Sequence, residues 1–406
     1  MTIRLRCYEY DYGERKIMIV VLSRVIFWLF AFIIAWAMVG YQVSLKVLGK
    51  IFSHRRLEKN YYNKPFITLM AVAYNEEKVI LEKLNNMVDN DYPEDRIEYI
   101  VASDCSTDKT HDIVSTFIEK HSDISIRLII ANNHAGKTNA QNEAQKFANG
   151  EVLVMTDANA MLAKNAVSEL VACFTSPDIA YVSGRLSYTN SKENATASSE
   201  NIYWESDLAQ REIESRIKTI TAGNGAIYAC RNSLYHDFSP IECHDSCMPV
   251  FYANNGKRAI YNPDAIGWEK AGETNADELK RKIRMNRLIL PRLIKGLKFI
   301  NIFRYGWFSY FYFGHRLCRY ALWLAHILVL ITSAVLSFYN WFYLLAFIGQ
   351  VLFYMVGGIA LKIKAKNKFM RLMAYYCMTI YAQFVGIYNW MTGKSKPIWE
   401  SAETTR

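Results

Sequence analysis

Residues 66–77 read FITLMAVAYNEE, an unbroken apolar run that stops on Tyr74, Asn75, Glu76 and Glu77. The run Phe66–Ala73 has the length and composition of a buried strand, and Glu76–Val88 carries a helical pattern. The same alternation follows three more times. Ile97–Ser103 reads as a strand and Lys109–Lys120 as a helix; Ile126–Ala131 and Thr138–Ala148 repeat the pair, as do Val152–Thr156 and Lys164–Phe174. Ile179–Ser183 is a further strand. Strands alternating with helices predict an α/β, Rossmann-like fold with a mostly parallel sheet and helices on both faces. Such sheets bind ligands beyond the carboxyl ends of their strands. The polar residues stand there: Tyr74-Asn75-Glu76-Glu77, Asp104, His134-Ala135-Gly136-Lys137 and Asp157-Ala158-Asn159 each follow a strand. After Ser183 the alternation breaks. Ser198–Arg216 is expected as one long helix, Gly223–Cys230 as a strand, and Lys280–Leu297 as a basic, partly amphipathic helix.

Outside this region the chain is apolar. Of the 406 residues 51% are hydrophobic and 14% aromatic, while 21% are still charged. That balance predicts a water-facing domain joined to a membrane part. Val25–Leu48 reads as an anchor without a signal-peptide cleavage pattern. Ala321–Phe338, Trp341–Leu361 and Leu372–Trp390 are three further membrane candidates, none with Asp, Glu, Lys or Arg. Phe299–Tyr320, dense in aromatics with Arg304, Arg316 and Arg319 interspersed, suits a helix lying in the interface. The expected organisation is an N-terminal segment and first membrane helix (1–49), a central α/β domain (50–298), an interfacial belt (299–320), three membrane helices (321–392) and a tail (393–406).

The net charge is +10. The basic residues cluster beside apolar segments, which points to lipid headgroups and not to nucleic acid. Lys46, Lys50, Arg55, Arg56 and Lys59 flank the first helix, and Lys362, Lys364, Lys366, Lys368 and Arg371 lie between the last two. The positive-inside rule makes both regions cytosolic. The expectation is a multi-pass protein of the cell (plasma or inner) membrane, its α/β domain cytosolic and both termini outside. A re-entrant last helix, bringing Trp399 and Glu400 back toward the site, is the alternative. The eight cysteines are scattered and are expected as free thiols; Cys243, His244 and Cys247 lack the second cluster that a zinc finger needs.

The motifs carry specific chemistry. Asp104 ends a strand, where it can accept hydrogen bonds from a base or ribose. Lys137 is available to phosphate. Asp157 and Asn159 offer oxygen ligands to Mg²⁺ or Mn²⁺. Glu242-Cys243-His244-Asp245-Ser246-Cys247 holds two carboxylates, Glu242 and Asp245. Arg281-Lys282-Ile283-Arg284-Met285 is a basic run. Gly223-Asn224-Gly225-Ala226 allows close approach to the backbone, and Trp204 offers an aromatic face.

In this order the motifs resemble those of the family-2 inverting glycosyltransferases that make cellulose, chitin, hyaluronan and poly-N-acetylglucosamine. The resemblance runs from about Phe66 to Arg287 and extends to the arrangement of membrane helices. It implies a GT-A-like fold and a UDP-sugar donor. Tyr74, Glu76, Asp104, Lys137, Asp157, Arg281 and Arg284 would form the donor site, with uracil on Asp104. Asp157 and Asn159 would hold the cation, Asp245 would be the catalytic base, and Trp204, Gly223, Asn224 and Gly225 would face the acceptor. The sequence departs from the family in three places: Asn159 stands where D-x-D has its second acid, His244 replaces the first acid of an acidic pair, and Arg281 and Met285 replace the Gln and Trp of Gln-x-x-Arg-Trp. An Asn159→Asp change is expected to be tolerated, since it restores the commoner ligand.

The expected activity is inverting transfer of a hexose or N-acetylhexosamine to a growing glycan in surface polysaccharide synthesis. Single addition to a membrane lipid-linked acceptor is the alternative. Residues 131–138 also match a phosphate-binding P-loop except at the first glycine, where Ala131 stands, so a membrane-bound P-loop ATPase is a third reading. The sugar, the linkage and the oligomeric state stay open.

Overall fold

A computed structural model describes the chain except residues 1, 53, 190–194, 271–274, 364–366 and 399–406, and side chains are placed outside 1–14, 195–203, 275 and 368. The apolar runs become β1 (Ile67–Ala73), β2 (Ile97–Ser103), β3 (Ile126–Ile130) and β4 (Val152–Asp157). They are followed by β5 (Met161–Leu162), β6 (Ile179–Tyr188), β7 (Ile227–Arg231) and β8 (Arg258–Glu269). One sheet runs β3-β2-β1-β4-β7-β6-β8-β5. β1 pairs in parallel with β2 and β4, and β2 with β3. β7 runs antiparallel to both β4 and β6, while β6 and β8 are parallel.

The apolar runs are continuous because both faces of the sheet are covered. Leu69, Tyr99, Val101 and Val154 pack on one face with Leu84, Val114 and Phe117. Met70, Ile100, Leu153 and Met155 pack on the other with Ala140, Ala144, Leu208, Met248 and Tyr252. The helices behind these contacts are Ile80–Val88 and Thr110–Lys120 on the first face and Lys137–Gln145, Ala195–Ile217 and His244–Asn254 on the second. β8 was not expected from the sequence. It contains Pro263, and its pairing with β6 shifts register between Ser183↔Tyr261 and Arg185↔Ile266. A proline fits a strand at such a bulge, where the ladder is already interrupted.

The basic segment expected as one helix over Lys280–Leu297 is two, Asn275–Met285 and Ile289–Gly296. The aromatic belt is likewise broken into short turns, Ile302–Tyr305, Trp307–Phe311 and Cys318–Tyr320, with a π-helical stretch Tyr312–Leu317 between. Phe299, Phe308, Tyr312 and Leu317 form its small core.

Among the described residues two helices are long and apolar enough to cross a membrane, Arg15–Ile51 and Trp341–Lys362; Trp307–Tyr320 with Leu322–Leu336 makes a third candidate bent by 61°. By length and composition this gives one C-terminal span among the described residues, or two with the bent pair, where three were expected. Helix Lys368–Met391 falls short of that apolarity; it packs along Trp341–Lys362 and along the basic helix Asn275–Met285. Tyr375 donates to Glu278 at 3.3 Å, and Lys282 sits 4.2 Å over the Tyr375 ring. The chain after this helix returns to the α/β domain: Arg287 donates to the carbonyls of Lys396 (2.9 Å) and Pro397 (3.3 Å). The tail through residue 398 therefore lies against the α/β domain, whereas the expectation was a C-terminus across the membrane. Trp399 and Glu400 lie outside the described residues.

Candidate active site

The loops after β1, β2 and β3 lock together. Asn75 and Cys105 take positive φ, 54° and 59°. Asn75 Oδ1 accepts from the Thr107 N–H at 2.8 Å, and the Glu76 N–H is bonded to Thr110 Oγ1 at 2.9 Å. Asp104 is buried, and its two oxygens accept from the N–H groups of Ala135 (3.0 Å) and Gly136 (2.8 Å). His134 Nδ1 adds a contact at 2.8 Å, and its ring stacks on Tyr74 with centroids 4.1 Å apart. Asp104 thus builds the loop that carries Lys137. Gly136, at φ 96°, is pinned as well: a methyl group there would meet the Pro397 carbonyl at 2.8 Å.

Lys137 then points inward, its ammonium on Asp157 Oδ1 and, at 2.8 Å, on the Gly225 carbonyl. A methyl group at Gly225 would stand 3.3 Å from Lys137 Nζ and 3.5 Å from Asp245 Oδ2. Residues from four separate elements, Lys137, Asp157, Gly225 and Asp245, therefore meet at one point. The same contacts correct the P-loop reading. Thr138 Oγ1, which a P-loop gives to Mg²⁺, donates to the Glu242 carbonyl at 2.6 Å, and Lys137 closes on a carboxylate and a carbonyl.

Asp245 sits in the first turn of helix His244–Asn254, and its carbonyl accepts the Gly223 N–H at 2.7 Å. Gly223 can only be glycine, because a methyl group would stand 1.9 Å from the Tyr181 hydroxyl. His244 turns away from the site, bonded to Tyr235 (2.8 Å) and Gln141 (2.9 Å). Burial, and then the Lys137 charge, push its imidazole down to about 3, so this residue is a neutral core group and not a second acid. Cys247 faces Arg292 at 3.5 Å, and the described residues hold no cluster of three or more metal-binding side chains, so Cys243, His244 and Cys247 form no zinc site.

The basic run divides. Arg281 closes on the buried Glu278 with bonds of 2.8 and 3.1 Å. Arg284 is half-buried, and burial followed by the Arg281 charge lowers it to about 10, with Asp157 among the groups that oppose the shift. Arg281 is thereby paired within its own helix, and its charge also reaches Arg284. Arg211 joins two motifs that lie apart in the sequence: its guanidinium lies 5.8 Å from the Trp204 ring and donates to the Gly223 carbonyl at 2.7 Å. The Asn224 N–H is held by Ser183 Oγ at 3.0 Å.

Two further residues escaped the sequence reading. Lys83 is fully buried under the turn after β4, donating to Thr156 Oγ1 at 2.9 Å and to the Ala160 carbonyl. Burial pulls its amine down to about 7 against the opposing pull of Asp157. Glu269 accepts from Asn159 Nδ2 at 2.9 Å. Neither lies in a motif; a lysine in the buried stripe of a helix was the one visible signal. The donor set at Asp157 and Asn159 fits a hard divalent cation, since both offer oxygen and Asp157 already faces a cation, the Lys137 ammonium.

A carboxylate that faces a lysine across a glycine loop, at the open ends of a parallel half-sheet, is an arrangement able to draw a proton from an acceptor while an activated phosphate leaves. With this sheet order it defines a GT-A glycosyltransferase. Residues 68–238 match the family described as Glycosyl transferase family 2. The chain is 30% identical over 310 residues to a probable glycosyltransferase, YdaM, of Bacillus subtilis (strain 168), covering 68% of this chain and 71% of that one. The chain belongs to glycosyl transferase family 2. It is also 28% identical over 154 residues to a beta-monoglucosyldiacylglycerol synthase of Nostoc sp. (strain PCC 7120), covering 37% of this chain and 33% of that protein. Among solved structures, the mannosyltransferase PcManGT of Pyrobaculum calidifontis, in complex with GDP-Man and Mn²⁺, superposes with a TM-score of 0.68 at 21% identity, covering 90% of this chain and 99% of that one. At that identity the likeness establishes the fold.

Proposed function

We propose that this glycosyltransferase moves a hexose or N-acetylhexosamine from a UDP-sugar, with inversion, to a glycan growing at the cytosolic face of the membrane. The observation that carries this reading is the convergence of Lys137, Asp157, Gly225 and Asp245. Asp245 takes the acceptor hydroxyl proton as that oxygen attacks the anomeric carbon from the face opposite the diphosphate. Lys137 and Arg284 offset the charge on the leaving diphosphate, and Asp104, with Tyr74 and Glu76 behind it, shapes the loop that receives the nucleotide. Asp157 and Asn159 would hold a divalent cation, which supplies further positive charge to the diphosphate. Trp204, Gly223 and Asn224 line the acceptor side.

Purified protein in lipid, given a panel of UDP-sugars, is expected to release UDP with one of them. Asp245→Asn is expected to lower turnover about 10²–10⁴-fold and to leave donor affinity within a few-fold; near-normal turnover removes Asp245 as the base. Excess EDTA is expected to stop transfer and Mn²⁺ or Mg²⁺ to restore it; full activity in EDTA counts against the cation.

A second reading, single addition to a lipid-linked acceptor, is favoured by the small number of spanning helices. A polar path for a polymer must be shielded from lipid, and the described residues supply two candidate spans, or three with the bent pair. Product mass decides: one added sugar supports the lipid acceptor, and a ladder supports the polymer.

A further inference from the structure

Asn159 leaves the cation site one carboxylate short of D-x-D, and the fold brings another one to it. β5 pairs antiparallel with β8, with Met161 opposite Trp268. Glu269, next along β8, is thereby set against the turn that precedes β5, where Asn159 Nδ2 donates to its Oε1 at 2.9 Å. A carboxylate accepts hydrogen bonds and does not donate them. It therefore selects the amino end of the Asn159 amide, because the opposite orientation would press two acceptor oxygens together. The carbonyl end, the only end that can ligate a hard cation, is left turned away from Glu269.

We infer that Glu269 is the positioning residue that makes Asn159 a cation ligand, so that D-x-N and Glu269 together do the work of D-x-D. The inference rests on the reading of Asp157 and Asn159 as the cation site. A second aspartate offers oxygen whichever way it turns and needs no orienting partner, whereas an asparagine offers oxygen from one end only. Partners that orient metal ligands typically contribute about 10–100-fold to metal affinity.

The test is a double-mutant cycle on full-length protein in lipid, reading Mn²⁺ binding from the electron paramagnetic resonance of free Mn²⁺, with unfolding midpoints recorded for each variant. Glu269→Ala is expected to weaken Mn²⁺ binding by about 10–100-fold. In the Asn159→Asp background the same change is expected to cost at least about tenfold less, because an aspartate needs no orienting partner. Equal losses in both backgrounds overturn the inference and reduce Glu269 to a structural or purely electrostatic role. Should Glu269→Ala fail to fold, Glu269→Gln serves in its place. It keeps the length but can present either end to Asn159, and a background-independent loss again overturns the inference. Wild-type protein that binds no Mn²⁺ removes the cation site itself, a different failure from equal losses in protein that does bind it.

Discussion

Asn159 shows how one neighbour changes the meaning of a substitution. Read from the sequence, Asn159→Asp restores a common ligand; in the structure the new carboxylate would lie within hydrogen-bonding distance of Glu269. Two carboxylates sharing a site raise one pKa strongly. A group whose folded pKa is raised contributes stability below its unfolded pKa and loses it as pH rises through the folded value. The variant is therefore expected to match wild type near pH 4 and to be destabilised by about 1–3 kcal/mol near pH 7.5 in EDTA, with Mn²⁺ returning part of the loss. Thermal unfolding at the two pH values checks this, and equal midpoints at pH 7.5 would return the substitution to the tolerated class. His244 makes a similar point. Its place in the acidic-pair frame reads as catalytic, but bonds to Tyr235 and Gln141 commit it to the core.

The element that matters most is the loop from His134 to Lys137. It has no regular backbone pairing of its own, so its shape depends on side chains from other loops, chiefly the Asp104 carboxylate. Asp104→Ala would leave two N–H groups without their acceptor, each costing about 1–3 kcal/mol where buried. That exceeds what a short loop can absorb without moving. The expected outcome is faster amide exchange over residues 134–137 and at least about tenfold weaker UDP binding, with the sheet core unaffected. Unchanged exchange would show that Tyr74 stacking and the Pro397 contact suffice to hold the loop. Nearby, the positive φ of Asn75 and Cys105 is strain that the surrounding bonds sustain.

At the scale of the whole molecule, membrane sidedness follows from which elements are tied together. Helix Arg15–Ile51 ends beside the long helix Ala195–Ile217, where Tyr41 donates to Glu214 at 2.6 Å. His315 is held by both Glu214 (2.6 Å) and Asp207 (2.7 Å), and Arg319 also bonds Asp207 at 2.7 Å. This buried ionic knot ties the anchor, the aromatic belt and the catalytic domain into one body. Burying so many charges demands that they stay paired. Phe27 packs on Leu336 and Tyr343 at the far end of the anchor, which sets the 337–340 turn opposite the catalytic domain, while the tail touches Gly136. Single cysteines at Phe338→Cys and Lys394→Cys, in a background free of other reactive cysteines, test this with an impermeant maleimide on intact cells. Labelling is expected at 338 and not at 394; labelling at 394 from outside overturns the arrangement.

The sequence alone determined the parallel half of the sheet, because strands buried on both faces leave continuous apolar runs and strand-end ligands fall at readable positions. Tyr74, Asp104, Lys137 and Asp157 were readable for that reason, whereas Asp245 was read from its likeness to the family's acidic pair. Tertiary structure decided the rest, because pairing partners far apart in the chain leave no local period. β8 was hidden by its proline bulge, and Glu269 reached Asn159 only through the pairing of β5 with β8. The pairing of Arg281 with the buried Glu278 likewise showed only in the structure. Helix Lys368–Met391 has an apolar composition that suits a membrane or a protein surface equally. Only the tertiary structure showed that it packs on both Trp341–Lys362 and Asn275–Met285 and returns the tail to the loop at Gly136.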